Sequence, residues 1–267
     1  MTSTTIGIFL NFALLTASVP AQNTLTAEEK ATGWKLLFDG KTMKNWDDPR
    51  QKHPAGDAWS IEDGCIKANA KPKITEDLFS KETYTDFEFA FEWKISPAGN
   101  SGVKYLIQDH LFVKKPEPGQ RFEDTVEYAL HHRETTRQPK GQDYVIGFEY
   151  QMIDNDANKD AHNGTTHTAG ALYDIAPPLK DATKPVGEWN QSRIVLKGNH
   201  VEHWLNGEKV VDATLEPSFL ADQSVKRWGK SPTVFDMLTQ HRKKDCPISL
   251  QNHDSDAWFR NIKVRRF

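Results

Sequence analysis

The amino-acid sequence predicts an all-β fold, a sandwich or barrel of short antiparallel strands, and three observations predict it. Phe87-Glu88-Phe89-Ala90-Phe91-Glu92-Trp93 alternates strictly, with four aromatics on one face and Glu88, Ala90 and Glu92 on the other. Short apolar or alternating runs recur along the chain between turn pairs such as Asp39-Gly40, Asp63-Gly64, Gly198-Asn199 and Asn206-Gly207. No strand–helix–strand rhythm competes with them. The composition agrees. The chain has 267 residues, 37% of them hydrophobic and 27% charged, which fits one or two soluble domains and excludes a polytopic membrane protein. A net charge of −3 without a basic cluster gives nucleic-acid binding no electrostatic footing.

In chain order, Thr26–Ala31 reads as a short leading helix and Trp34–Phe38 as the first extended run. Further strand runs are Trp59–Ala68, Phe87–Trp93, Gly102–Gln108, Val145–Ile153, Gly170–Ile175, Arg193–Leu196, His200–Leu205, Pro247–Gln251 and Ala257–Phe267. Leu205-Asn206-Gly207-Glu208 reads as a hairpin, because Asn-Gly suits the positive-φ positions of a type I′ turn. Asp109–Asp143 is charged and punctuated by Pro116, Pro118 and Pro139, so it is expected as a long loop with a helix over Glu123–Arg133. Loops beyond about 15 residues inside a β domain are usually functional or mobile. Short helical pieces are expected at Glu216–Ala221 and Ser231–Leu238. No linker or internal repeat divides the chain, which implies one domain over residues 31–267 after a connecting stretch at 22–30.

Residues 1–21 read as a secretory leader. Ile6–Leu15 is apolar apart from Asn11, and Thr16-Ala17-Ser18-Val19-Pro20-Ala21 supplies the small residues of a cleavage site. The run is too short to span a bilayer, so a secreted or periplasmic protein with no membrane association in its mature form is expected. Cys65 and Cys246 leave a disulfide and two buried thiols equally open.

The chemistry lies in the polar sides of the strands. Alternation places Glu149 and Gln151 opposite Phe148, Tyr150 and Met152. It also places Ser249, Gln251 and His253 on one face, Gly102 and Lys104 opposite Val103 and Tyr105, and Tyr173 opposite Leu172 and Asp174. An ordinary solvated sheet face accounts for many such patterns. Such a face is richer in Lys, Thr and Ser, however, whereas Glu, Gln, His, Asn and Tyr together suit a hydroxyl-rich ligand. Other constellations are weaker. Asp154-Asn155-Asp156 imitates the start of a calcium loop, but Lys159 stands where Gly is needed, so a plain turn is expected. His131, His132, His162 and His167 lack zinc spacing, and there is no phosphate loop, dinucleotide fingerprint or nucleophile elbow.

The chain resembles the 3-keto-disaccharide hydrolase family. The resemblance runs in order through Trp34–Lys41, Asn45-Trp46, Trp59–Gly64, Glu92–Ile95, Gly99–Tyr105, Gly147–Asp154, Thr168–Asp174, Gly187–Asn190, Val201–Gly207, Leu250–His253 and Phe259–Ile262. It implies a concanavalin A-like jelly-roll β-sandwich of two antiparallel sheets, with the site on the concave sheet. Two departures are visible: Asp254 stands where the family usually has Gly, and the 109–143 stretch is longer than usual.

The activity so implied is cleavage of a 3-keto-glycoside or 3-keto-disaccharide. A 3-keto group acidifies C2–H, so a base, an enolate stabiliser and an acid suffice for elimination and rehydration. Glu149 and His253 are the acid and base candidates, with the assignment between them open, and Lys104 is the enolate stabiliser. Asn100, Gln151, Tyr173, Gln251, Glu92 and Arg260 are the expected substrate-binding residues. The partner is a small carbohydrate, and no cofactor is expected, with a divalent metal ion left open. Two alternatives stand beside this reading. A lectin-like module would bind sugar without turnover, and a conventional glycosidase would need a second carboxylate facing Glu149.

Overall fold

The computed structural model describes residues 22–47, 57–133 and 141–267. The expected leader therefore lies outside the described residues. The elements in order are α1 (Ala27–Ala31), β1 (Lys35–Leu36), β2 (Trp46–Asp47), β3 (Trp59–Glu62), β4 (Cys65–Ala68), β5 (Leu78–Ser80), β6 (Phe87–Ile95) and β7 (Asn100–Lys114). Then come α2 (Phe122–His131), β8 (Gly141–Ile153), two 3₁₀ turns at Asp160–Asn163 and Thr165–His167, β9 (Asn190–Lys197), β10 (His200–Leu205) and β11 (Glu208–Thr214). Helices α3 (Pro217–Trp228) and α4 (Pro232–Thr239) precede β12 (Ser249–Leu250) and β13 (Ala257–Arg266).

Two antiparallel sheets result. The larger has the order β11-β10-β9-β6-β13-β4-β3, with β1 added beside β13; the smaller is β2-β5-β12-β7-β8. The alternation in β6 dictates the packing: Phe87, Phe89, Phe91 and Trp93 are all buried between the sheets. They meet Val103, Tyr105, Phe148, Tyr150 and Met152 from the smaller sheet, with Phe91 and Tyr150 edge-to-face at 5.6 Å. The buried polar tips are satisfied across the gap. Trp93 Nε1 donates to Ser192 Oγ at 2.8 Å, and Tyr150 Oη lies 2.8 Å from the same hydroxyl. His203, 0% exposed, sits 3.0 Å from the carbonyl of Gly170 and 2.9 Å from the Tyr105 hydroxyl. A carbonyl only accepts, so Nδ1 carries the proton and Nε2 accepts from Tyr105. Burial pushes the His203 pKa down to about 4.

Several expectations hold. Asn206 and Gly207 adopt φ of +50° and +86°, and β10 and β11 pair through Leu205 and Glu208 around them. Asp154 caps a tight turn, accepting from the amides of Asp156 and Ala157 at 3.1 Å and from Ala98 at 2.8 Å. Cys65 and Cys246 are both free and buried.

Two expectations need correction. Asp109–Asp143 is not mainly loop: β7 continues to Lys114 and β8 begins at Gly141, with α2 between them. A bulge between Tyr105 and Asp109, with Leu106 at φ +48°, resets the alternation there and hides the strand. The Gln108 side chain satisfies the bulge by donating to Leu106 O at 2.6 Å and accepting from Lys243 N at 2.6 Å. Gly170–Ile175 is not a regular strand. It follows β8 only briefly, through the bridge of Tyr150 to Leu172 and a few backbone hydrogen bonds around it, and then turns away at Asp174, where φ is +62°.

Candidate functional site

The smaller sheet turns its second face to a cavity of about 290 Å³, a size that suits a small ligand. Its floor follows from register. Lys104 on β7 pairs with Glu149 on β8 and with Ser249 on β12, and Ser249 pairs with Phe79 on β5. One step along, Gly102 faces Gln151, and the Gln251 amide donates to Gly102 O at 2.9 Å. Two rows of polar side chains thus cross the sheet. Gly102 is required by closeness: a Cβ there would lie 2.5 Å from Glu149 Oε1.

Seven of the nine site residues expected from the sequence line this cavity: Lys104, Glu149, Asn100, Gln151, Tyr173, Gln251 and His253. Glu92 and Arg260 do not. They lie on β6 and β13 of the other sheet, where Arg260 Nε donates to Glu92 at 2.7 Å. Alternation placed Glu92 opposite the aromatic face and the family resemblance supplied Arg260, but an outward face exists on each sheet, and periodicity does not tell the two apart.

Four further residues of the site escaped the sequence reading. Asp77, just before β5, holds Lys104 Nζ at 3.2 Å, both side chains being almost wholly buried. Arg227 comes from α3, pairs with Asp174 at 2.9 Å and lies 5.6 Å from the Tyr173 ring centre. Asp160 accepts from the Tyr173 hydroxyl at 3.0 Å and from His167 at 2.9 Å. Tyr144, on the extension of β8 that the bulge concealed, places its ring 5.8 Å from Lys104 Nζ. Only the run of polar residues before β5, Thr75-Glu76-Asp77, offered a local signal.

The electrostatics set these groups apart. Burial pushes the Glu149 pKa up to about 7; Lys104 opposes the rise, Asp77 adds to it and Arg227 opposes it. Burial alone would lower Lys104, but the Asp77 and Glu149 carboxylates outweigh it and hold the ammonium above its ordinary value. Dense protein around the imidazole, then the Lys104 charge, lower the pKa of His253, although the residue keeps solvent access at the cavity mouth. Neutral polarity is just as distinctive. Asn100 Oδ1, Gln151 Oε1 and Gln251 Oε1 are buried with no hydrogen-bond partner among the described residues, in residues that are 4%, 1% and 8% exposed. Three orphaned acceptors in one cavity call for a ligand or solvent that donates several hydrogen bonds. The site can therefore exchange a proton near neutrality, hold negative charge against Lys104 and bind hydroxyls.

Fold and site together define a concanavalin A-like jelly-roll sandwich with a polar cavity on its smaller sheet. More narrowly, the chain belongs to the 3-keto-alpha-glucoside-1,2-lyase-like family, whose pattern matches residues 33–265. It is 33% identical over 248 residues to a 3-keto-disaccharide hydrolase of Bacteroides thetaiotaomicron, covering 88% of this chain and 79% of that protein. Two crystal structures of glycosyl-hydrolase candidates from Parabacteroides distasonis share the fold. One is 26% identical with a TM-score of 0.61 over 92% of this chain and 99% of the other. The second is 24% identical with a TM-score of 0.59 over 88% and 99%.

Proposed function

We propose that this protein cleaves the glycosidic bond of 3-keto-glycosides or 3-keto-disaccharides by elimination followed by hydration. Membership of the family supports the substrate class, and the observation that carries the chemistry is Glu149. Its carboxyl titrates near neutrality beside a cation that Asp77 holds in place. A base removes the proton from C2, whose electron pair is delocalised onto the 3-keto oxygen as an enolate facing Lys104. Collapse of the enolate forms C1=C2 and breaks the C1–O bond, and the departing oxygen takes a proton from the acid. Water then adds at C1 and a proton returns to C2, so the net reaction is hydrolysis. Glu149 and His253 divide the base and acid roles, both being titratable groups that line the one cavity. Asn100, Gln151 and Gln251 offer their free oxygens to the sugar hydroxyls, and Tyr173 lines the same wall.

The test is turnover of a matched glycoside and 3-keto-glycoside pair in heavy water. The proposal expects cleavage of the keto substrate alone, with deuterium at C2. Turnover without deuterium at C2 would discard elimination, and cleavage of the unoxidised glycoside would assign a conventional glycosidase. The orphaned amide oxygens equally favour a second reading, sugar binding without chemistry; a measurable affinity with no product would select it. The steps as written use protein side chains alone, so turnover should survive exhaustive chelation. We propose export as well, and a mature N-terminus near Gln22 in protein recovered outside the cytoplasm would support it.

A further inference from the structure

We infer that Asp77 is a positioning residue for Glu149: by gripping the Lys104 ammonium from the far side, it keeps that charge from neutralising Glu149. The inference rests on the proposed role of Glu149 and follows from three strands in register. Lys104 stands on β7 with Glu149 across one strand boundary, on β8. Asp77 stands beyond β12 on the other side and makes the ion pair, its Oδ2 lying 3.2 Å from Lys104 Nζ. The same oxygen accepts from Ser249 Oγ at 3.1 Å, so the carboxylate is anchored by the strand between. Glu149 has no side-chain hydrogen bond or ion pair among the described residues, and Gly102 leaves it space above the sheet.

One buried cation is thus shared unequally between two carboxylates. In a medium of low polarity, a lysine that paired with Glu149 alone would keep that carboxylate ionised and make it a poor base. With Asp77 in possession of the lysine, Glu149 retains its affinity for a proton. The triad carries one negative charge when fully ionised, which also favours a shared proton. Other groups face Glu149 as well. Arg227 from α3 favours its ionised form, and Asp160 from the 3₁₀ turn opposes it. Tyr144 on β8, Tyr173 from the covering segment and His253 after β12 line the same cavity, as do Asp143 on β8 and Asp174, which Arg227 holds at 2.9 Å.

The experiment is a carbon-detected NMR titration of the whole protein labelled with ¹³C at glutamate Cδ, with the Glu149 signal identified from its loss in Glu149→Gln. Asp77→Asn should lower the Glu149 midpoint by about one pH unit or more, since the freed ammonium turns to Glu149. Lys104→Met should raise it by a similar amount. A midpoint unchanged in a folded Asp77→Asn protein overturns the inference. Should Asp77→Asn fail to fold, Lys104→Met carries the test, and absence of a rise overturns it equally. The readout needs no turnover. Shifts in the expected directions without activity on any 3-keto-glycoside would refute the proposed reaction and leave the role of Asp77 intact. With activity, the pH limb of kcat/KM should follow the NMR midpoint in each variant, because a merely structural loss would lower the rate without moving the limb.

Discussion

The outward faces of the two sheets use the same kinds of residue and treat them oppositely. On the larger sheet every charge described above is answered. Glu88 lies between Arg193 and Arg265, each at 2.8 Å; Glu92 binds Arg260; Lys67 binds Glu62 at 3.0 Å. Its outward tryptophans are covered too, with Arg193 4.2 Å from the Trp204 ring centre and Lys94 Nζ 4.7 Å from that of Trp258. On the smaller sheet Lys104 has one anchored partner, Glu149 has none among the described residues, and three amide oxygens are buried without a donor. Unanswered polarity costs stability, and a protein keeps it where a ligand supplies the answer. The residue types alone did not distinguish a solvated face from a site; the pairing did.

The sharpest way to break this comparison is Glu149→Gln. We expect turnover of a 3-keto-glycoside to fall about 10²-fold or more, with affinity much less affected, because the group acts in the transition state. Steady-state kinetics with a parallel binding isotherm would check it. Gly102→Ala comes next. The new methyl displaces the end of a flexible side chain rather than backbone, so melting temperature should barely change while kcat drops roughly tenfold or more. A kcat equal to that of the unmodified protein would show that the position of Glu149 is unimportant.

Gln151→Leu probes the orphaned acceptors from both sides. Removing a buried oxygen that nothing bonds should leave stability unchanged or raise it by about 1 kcal/mol, while KM rises several-fold. Denaturant melts and kinetics on the same preparation would test both halves, and a large loss of stability would mean the oxygen has a partner. The smallest effect is expected on the opposite face. Glu92→Gln with Arg260→Met dissolves a partly exposed ion pair, so stability should change by less than about 1 kcal/mol and turnover by less than about twofold. A tenfold loss of turnover there would return Glu92 and Arg260 to the site.

The strands that carry the core were legible because period-two alternation records which side faces the interior, as in Phe87–Trp93 and Phe148–Met152. The same signal named Lys104, Glu149, Gln151, Gln251 and His253 as outward residues, and the family resemblance brought them together. Glu92 passed the same filter and Arg260 came with the resemblance, and both lie on the other sheet, since choosing a sheet requires the strand order. Asp77 and Arg227 were invisible for another reason. Each reaches the cavity from a place set by tertiary contacts, the lead-in to a three-residue strand and a helix far along the chain. The bulge at Leu106 concealed half of β7 by interrupting the very periodicity that would have revealed it.

The strand bearing Glu149 is the last of its sheet, and a bare outer strand is a template for unwanted self-association. Here the irregular segment Gly170–Tyr173 occupies the vacant side. Gly170 N and Gln151 O lie 2.8 Å apart, Gln151 N and Ala171 O 3.1 Å, and Tyr173 N and Glu149 O 3.0 Å. The segment lacks the length and regularity to offer a further ladder of its own, so pairing stops with it. Its geometry depends on Gly170, which has φ of +85° and whose Cβ would come within 3.0 Å of Val210. The wall of the cavity is therefore also a guard on colloidal behaviour, and damage to this one turn would show first as aggregation on storage.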